Sequence, residues 1–258
     1  MSRLSQIFAA LKSKNEKALV AFFTAGYPDA ARCREVLFGL PQAGADIIEL
    51  GMPFSDPMAD GPTIQAANNR ALANGHTMQD TLALAQEFRV KHPKVPLVLM
   101  GYANPVHHYG VEKFMQDAAA AGADGVIIVD VPPEEDAPWQ AAARPNGIAL
   151  VRLITPTADT ARIRHIAAHA SGFLYYVTIT GITGAGVAVA NNIAEHLSII
   201  RAETDLPVVA GFGIKSPAQA RAMAPHADGV VVGSALIERA ENPVDILNLV
   251  RELKQALV

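Results

Sequence analysis

Apolar residues along this chain gather into eight short runs: Leu19–Thr24, Asp46–Leu50, Val95–Met100, Gly125–Asp130, Ala149–Ile154, Phe173–Thr178, Leu206–Ala210 and Gly229–Gly233. Most are apolar throughout rather than at alternate positions, as strands covered on both faces should be. Between them lie stretches rich in Ala, Leu, Arg and Gln, such as Asp80–Val90 and Val111–Ala121, which read as helices. Eight strand-then-helix units predict a parallel sheet, and closure into an α/β barrel of the (β/α)8, or TIM, type is the economical way to complete it. Leu4, Ile7, Phe8 and Leu11 fall at helical spacing and predict an additional amphipathic helix before the first strand.

A weak internal repeat agrees with this reading. Ala43-Gly44-Ala45-Asp46 precedes the second run, Ala121-Gly122-Ala123-Asp124 the fourth, and Ala224-Pro225-His226-Ala227-Asp228-Gly229 the eighth. In the first two the Gly suits the left-handed turn that ends a helix. The spacing is uneven in two places. The second and third runs are far enough apart for a long acidic loop, an extra helical turn near Thr63–Ala73 and a helix from Thr77. After the sixth run comes the Gly-rich Gly181-Ile182-Thr183-Gly184-Ala185-Gly186-Val187, before a helix at Asn192–Arg201. Both enlarged loops leave the C-terminal ends of strands, where barrels of this kind place their chemistry.

Length and composition narrow the picture. At 258 residues, half of them hydrophobic, the chain is the size of one barrel domain spanning 1–258. A net charge of −4 gives no electrostatic reason to expect nucleic acid. No apolar run approaches the ~18 residues of a membrane span. Met1 to Lys17 lacks the apolar core and cleavage site of a secretory signal. The single Cys33 excludes an intrachain disulfide framework and metal sites built on several cysteines, and a reducing cytoplasm fits it.

The candidate chemistry centres on Glu49. It interrupts an apolar strand near its C-terminal end, where a carboxylate is costly unless it is used or paired. Desolvation there should raise its pKa, which suits a group that both gives and takes a proton near neutral pH. The loop that follows, Gly51 to Pro62, carries Asp56 and Asp60. Asp60 lies between Ala59 and Gly61 and is the better placed to accept a ring N–H. A second signal is an anion cradle. The seventh strand ends in Gly211-Phe212-Gly213-Ile214 before Ser216-Pro217, and the eighth ends in Gly233-Ser234 before a short helix. Glycine amides at helix starts after the last two strands suit a phosphate, with Gly184 adding amides and Lys215 nearby. Phe22, Met100, Tyr175 and Phe212 together suit a planar heteroaromatic. Asp130 is either catalytic by position or a brace for the turn beside it. His165 and His169 are four apart, but no Glu follows His165 as the zinc-protease pattern requires, so a solvated helix face is expected. His107-His108 is expected in a loop.

Glu49-Leu50-Gly51-Met52-Pro53-Phe54-Ser55-Asp56-Pro57-Met58-Ala59-Asp60-Gly61-Pro62 is similar to the signature of the tryptophan synthase α subunit. The likeness extends through Ala25-Gly26-Tyr27-Pro28, Met100-Gly101-Tyr102-Ala103-Asn104-Pro105, Val131-Pro132-Pro133-Glu134-Glu135, Tyr175–Gly184, Gly211-Phe212-Gly213-Ile214 and Gly233-Ser234. The resemblance implies a (β/α)8 lyase that splits indole-3-glycerol phosphate into indole and glyceraldehyde 3-phosphate. By position it makes Glu49 the general acid–base and Asp60 the acceptor for the indole N–H. It places Phe22, Met100, Tyr175, Thr183, Gly184, Phe212, Gly213, Gly233 and Ser234 around the substrate. It sets Phe54, Asp56, Pro57, Asn104 and Pro132 against a β subunit in an α2β2 assembly. Pyridoxal phosphate is then expected only in that partner, with no cofactor or metal in this chain. One departure stands out: Gly186 occupies a position where the family usually carries Arg.

Overall fold

The computed structural model describes residues 1–177, 187–211 and 213–258, without the side chains of 187–192. The apolar runs form the parallel strands β1 (Ala18–Thr24), β2 (Ile47–Gly51), β3 (Leu97–Gly101), β4 (Gly125–Ile128), β5 (Ala149–Leu150), β6 (Arg152–Ile154), β7 (Leu174–Val177), β8 (Val208–Gly211) and β9 (Gly229–Val232). Every residue of β1, β2, β3, β4, β8 and β9 is buried, which is why these stretches carry no alternation.

The sheet order is β5-β4-β3-β2-β1-β9-β8-β7-β6. Only Val151 separates β5 from β6, so the two ends of the sheet are consecutive pieces of one segment. Val151 N donates to Val126 O at 3.0 Å, and Ser171 N donates to Leu150 O at 2.8 Å. The segment therefore bonds to both flanking strands and closes the barrel. The fifth predicted run forms two strands because it changes hydrogen-bonding partner from β4 to β7 part-way along.

The helices are α1 (Arg3–Ser13), α2 (Ala30–Ala43), α3 (Pro62–Ala73), α4 (Met78–Lys91), α5 (Ala103–Tyr109), α6 (Val111–Ala120), α7 (Ala137–Ala143), α8 (Thr160–Ala168), α9 (Val187–Glu203), α10 (Pro217–Met223), α11 (Ser234–Ile237) and α12 (Pro243–Gln255). Two differ from expectation. The extra turn after β2 is the 12-residue helix α3, launched by Pro62 in its first turn. His107 and His108 lie in α5 rather than in a loop. The loop expected after the sixth barrel strand lies outside the described residues. No helix among the described residues is long and apolar enough to cross a membrane.

The N-terminal end of the barrel is built for closure. Leu4 of α1 is fully buried, and its Cδ1 lies 3.0 Å from where a Cβ on Gly172 would sit. Phe8 packs on Phe173 with ring centroids 5.9 Å apart. The sequence repeat acquires a role here. Asp46, Asp124 and Asp228 each stand just before a strand and accept an N–H from the first or second residue of the preceding one. Their acceptor distances are 2.8 Å from Leu19 N, 2.9 Å from Leu97 N and 2.9 Å from Val208 N. Each also meets a cation: Lys254 at 3.0 Å, Arg89 at 2.7 Å and Arg201 at 2.6 Å. Otherwise orphaned strand-end amides are satisfied by charge-assisted bonds.

Candidate active site

The C-terminal end of the barrel holds those predicted substrate and catalytic residues that are described. Phe22 and Glu49 are register partners across β1 and β2, and Glu49 is opposite Val98 of β3. Tyr175 comes from β7, where Val209 of β8 is its partner. Large inward side chains fit because their neighbours are glycines. A Cβ on Gly211 would stand 2.5 Å from the Tyr175 hydroxyl oxygen. Phe22 and Tyr175 border a cavity of about 270 Å³ lined also by Asp60, Met100, Gly213 and Lys215, with Gly233 and Ser234 on the same wall; Glu49 is buried and is not among the residues that line it. The first turn of α3, Pro62 to Ile64, completes it. Of the predicted substrate residues, Thr183, Gly184 and Phe212 lie outside the described residues.

Glu49 is 1% exposed, and neither carboxyl oxygen has a hydrogen-bond partner among the described residues. Burial, with a smaller push from the Asp60 carboxylate, raises its pKa to about 8. Such a carboxyl is protonated at neutral pH yet ready to ionise. Asp60 is half-buried on the long loop, residues 52–61. Burial raises it to about 6, opposed by a hydrogen bond from Tyr102. One carboxyl is thus mostly protonated and the other mostly ionised at pH 7, a division that suits paired acid–base work.

Tyr102 was not legible as a site residue in the sequence. Its hydroxyl donates to Asp60 Oδ2 at 3.1 Å and accepts the Ala59 N–H at 3.1 Å. Asp130 Oδ1 accepts the Ala103 N–H at 2.7 Å, at the start of α5 rather than within the turn beside it. A buried ion pair supports the same region. Arg152 Nη2 lies 2.5 Å from Asp136 Oδ2, and Nη1 donates to Val131 O at 3.1 Å. His165 faces Glu134 at 3.3 Å and His169 faces Asp136 at 3.2 Å. Among the described residues, no three His, Cys, Asp or Glu side chains converge to hold a metal ion.

On the outer rim, Asp56, Asn104 and Pro132 are exposed, Phe54 is half-buried and Pro57 is buried. Met58, at the tip of the loop, leaves 80% of its surface exposed.

A family model described as the tryptophan synthase alpha chain matches residues 8–257. The chain belongs to that family. It is accordingly a carbon–carbon lyase of tryptophan biosynthesis that cleaves indole-3-glycerol phosphate and works with a β subunit. Solved structures agree over the full length. One from Aquifex aeolicus VF5 is 40% identical with a TM-score of 0.94, covering 100% of this chain and 99% of that one. The tryptophan synthase alpha subunit from Legionella pneumophila str. Paris is 38% identical with a TM-score of 0.92, covering 100% and 98%. A chain of tryptophan synthase from M. tuberculosis, in its aminoacrylate-bound form, is 34% identical with a TM-score of 0.92, covering 100% of both.

Proposed function

We propose that Glu49 and Asp60 carry the cleavage, with the indole ring held between Phe22, Met100 and Tyr175. The observation that carries this reading is the buried Glu49 carboxyl, without a hydrogen-bond partner among the described residues and within electrostatic reach of Asp60. Protonated Glu49 delivers a proton to C3 of the indole, and the ring becomes an indolenine cation. Asp60 accepts the ring N–H and stabilises that charge. Glu49, now a carboxylate, takes the proton of the hydroxyl on C3′. The C3–C3′ bond breaks, its electron pair restores the indole, and C3′ leaves as the aldehyde of glyceraldehyde 3-phosphate. One proton is given and one taken back, so Glu49 ends as it began and the step balances with side chains alone.

The phosphate is held by the amides of Gly213, Gly233 and Ser234 on the wall of the same cavity, and Gly184, outside the described residues, is assigned to the same group. No cofactor takes part in this chain, and pyridoxal phosphate belongs to the partner. Phe54, Asp56, Asn104 and Pro132 form the face toward a β subunit in an α2β2 complex, to which indole passes. The exposed Met58 on the same rim supports that face. Pro57, on the same loop, is assigned to that face with them, although it is buried in the chain by itself. A cytoplasmic location suits the buried thiol of Cys33.

The test is indole release from indole-3-glycerol phosphate by the purified chain, alone and with its β subunit. Slow release that the partner accelerates supports the reading, because the partner closes the loops. Fast release without the partner favours a stand-alone indole-releasing lyase. Near-normal turnover by Glu49→Gln refutes the assignment of the acid.

A further inference from the structure

We propose that Tyr102 is the positioning residue for Asp60: its hydroxyl fixes one carboxylate oxygen and ties it, through the Phe54 ring, to the partner-facing loop. The inference rests on Asp60 being the acceptor for the indole N–H.

Tyr102 immediately follows the last residue of β3 and is the residue before α5. It is 3% exposed, so its hydroxyl has to find partners inside the protein. Both partners are on the loop after β2. The hydroxyl donates to Asp60 Oδ2 at 3.1 Å and accepts the Ala59 N–H at 3.1 Å. One group thereby fixes the backbone and the side chain of adjacent residues. Among the described residues no side chain bonds Oδ1 of Asp60, and the proposal gives that oxygen to the substrate.

The support behind Tyr102 is rigid. Asp130 holds the Ala103 N–H at 2.7 Å, and Arg152 holds Val131 O at 3.1 Å, so the exit of β4 braces the start of α5. Gly101 lies flush against Met52, where a Cβ would stand 2.6 Å from Met52 Cε. On the outer side the Phe54 ring packs on Tyr102 with centroids 5.5 Å apart. Phe54 stands two residues before Asp56, on the rim assigned to the partner. A shift of that rim therefore reaches Asp60 across the loop as well as along it, through the Phe54–Tyr102 ring contact and the Tyr102–Asp60 hydrogen bond.

The electrostatics agree. The groups around Asp60 are Glu49 from β2, Tyr102 after β3, Tyr175 from β7 and Lys215 across the cavity. Arg152 and Arg162 line the adjoining space behind it. Among them Tyr102 hydrogen-bonds Asp60 and favours its ionised form. Burial and the same carboxylate push the phenol upward, so it stays protonated and stays a donor.

The experiment compares wild type, Tyr102→Phe and Asp60→Asn in complex with the β subunit, following indole-3-glycerol phosphate cleavage from about pH 5 to about pH 9. Tyr102→Phe keeps the ring against Phe54 and removes only the hydroxyl. A hydrogen bond to a charged group corresponds to roughly 10- to 100-fold in rate. The expected result is a loss of that size in kcat, little change in KM, and an acid limb of kcat/KM displaced to higher pH. Wild-type kcat with an unmoved acid limb overturns the inference while leaving Asp60's role intact, provided Asp60→Asn is inactive. An active Asp60→Asn overturns both. If Tyr102→Phe melts below the assay temperature, Phe54→Leu gives the second reading. A loss of about 3- to 10-fold in kcat with the same limb displacement supports the inference, and wild-type kcat overturns it.

Discussion

The last residue of β2, Gly51, leaves the space that the Phe22 ring of β1 fills: a Cβ there would stand 2.7 Å from Phe22 Cζ. The wall of the substrate cavity is therefore set by an absent side chain on one strand and a large one on its neighbour. Gly51→Ala should tilt the ring into the cavity. Overpacking of this kind costs ~1–3 kcal/mol, and here the cost falls on binding, so KM should rise about tenfold. Steady-state kinetics check it, and an unchanged KM would mean the ring yields elsewhere.

Glu49→Gln should lower kcat by about 10²- to 10⁴-fold, the usual contribution of a positioned acid–base. The same change should stabilise the chain at high pH. Glu49 keeps its proton in the folded protein up to about pH 8 but loses it near its ordinary value of 4.5 when unfolded. The folded state therefore binds more protons across that window, and stability falls as pH rises through it. The loss is on the order of a few kcal/mol. Melting curves at about pH 5 and about pH 8 should show wild type losing Tm on going up, with the Glu49→Gln variant losing less.

The two carboxyls also set an activity optimum. Asp60 must be ionised, which holds above about 6, and Glu49 must start protonated, which holds below about 8. A plot of kcat/KM against pH should be bell-shaped between those limbs. A profile that keeps rising past about pH 9 would show that Glu49 does not act first as an acid.

Asp124→Ala should destabilise the barrel without touching its chemistry. Asp124 is 7% exposed, accepts the Leu97 N–H, and pairs with Arg89 at 2.7 Å and Arg3 at 2.9 Å. Its removal leaves the Leu97 amide unsatisfied and takes a counter-charge from Arg89, whose guanidinium keeps its bonds to the Gly122, His92 and Val95 carbonyls, costing ~1–3 kcal/mol. Chemical denaturation should show the drop, while kcat at room temperature stays at the wild-type value. An equal fall in kcat would contradict the division between a stabilising end and a catalytic end.

Much of this was visible in the order of residues. Continuous apolar runs separated by helical stretches predict buried parallel strands, and the structure places each run in the barrel. A Glu in such a run is conspicuous because nothing else in it is polar. The Gly-Ala-Asp repeat marked helix-to-strand units, but its bonding role across strands was not visible. That role depends on pairs such as Asp124 and Leu97, which are 27 residues apart. Tyr102 was passed over for a similar reason. An aromatic beside an apolar strand reads as core until its hydroxyl is seen against Asp60, 42 residues earlier.

The linear pattern by itself determined the eight runs that build the barrel, the strand that carries Glu49 and the loop that carries Asp60. These follow from local periodicity and from the cost of a lone charge in apolar company. Only the tertiary structure decided that Glu49 has no partner among the described residues, that Tyr102 holds Asp60, and that Gly51 makes room for Phe22. Those outcomes depend on which side chains meet when the sheet closes. Closure is set by hydrogen bonds between segments far apart in the chain, and no local pattern encodes them.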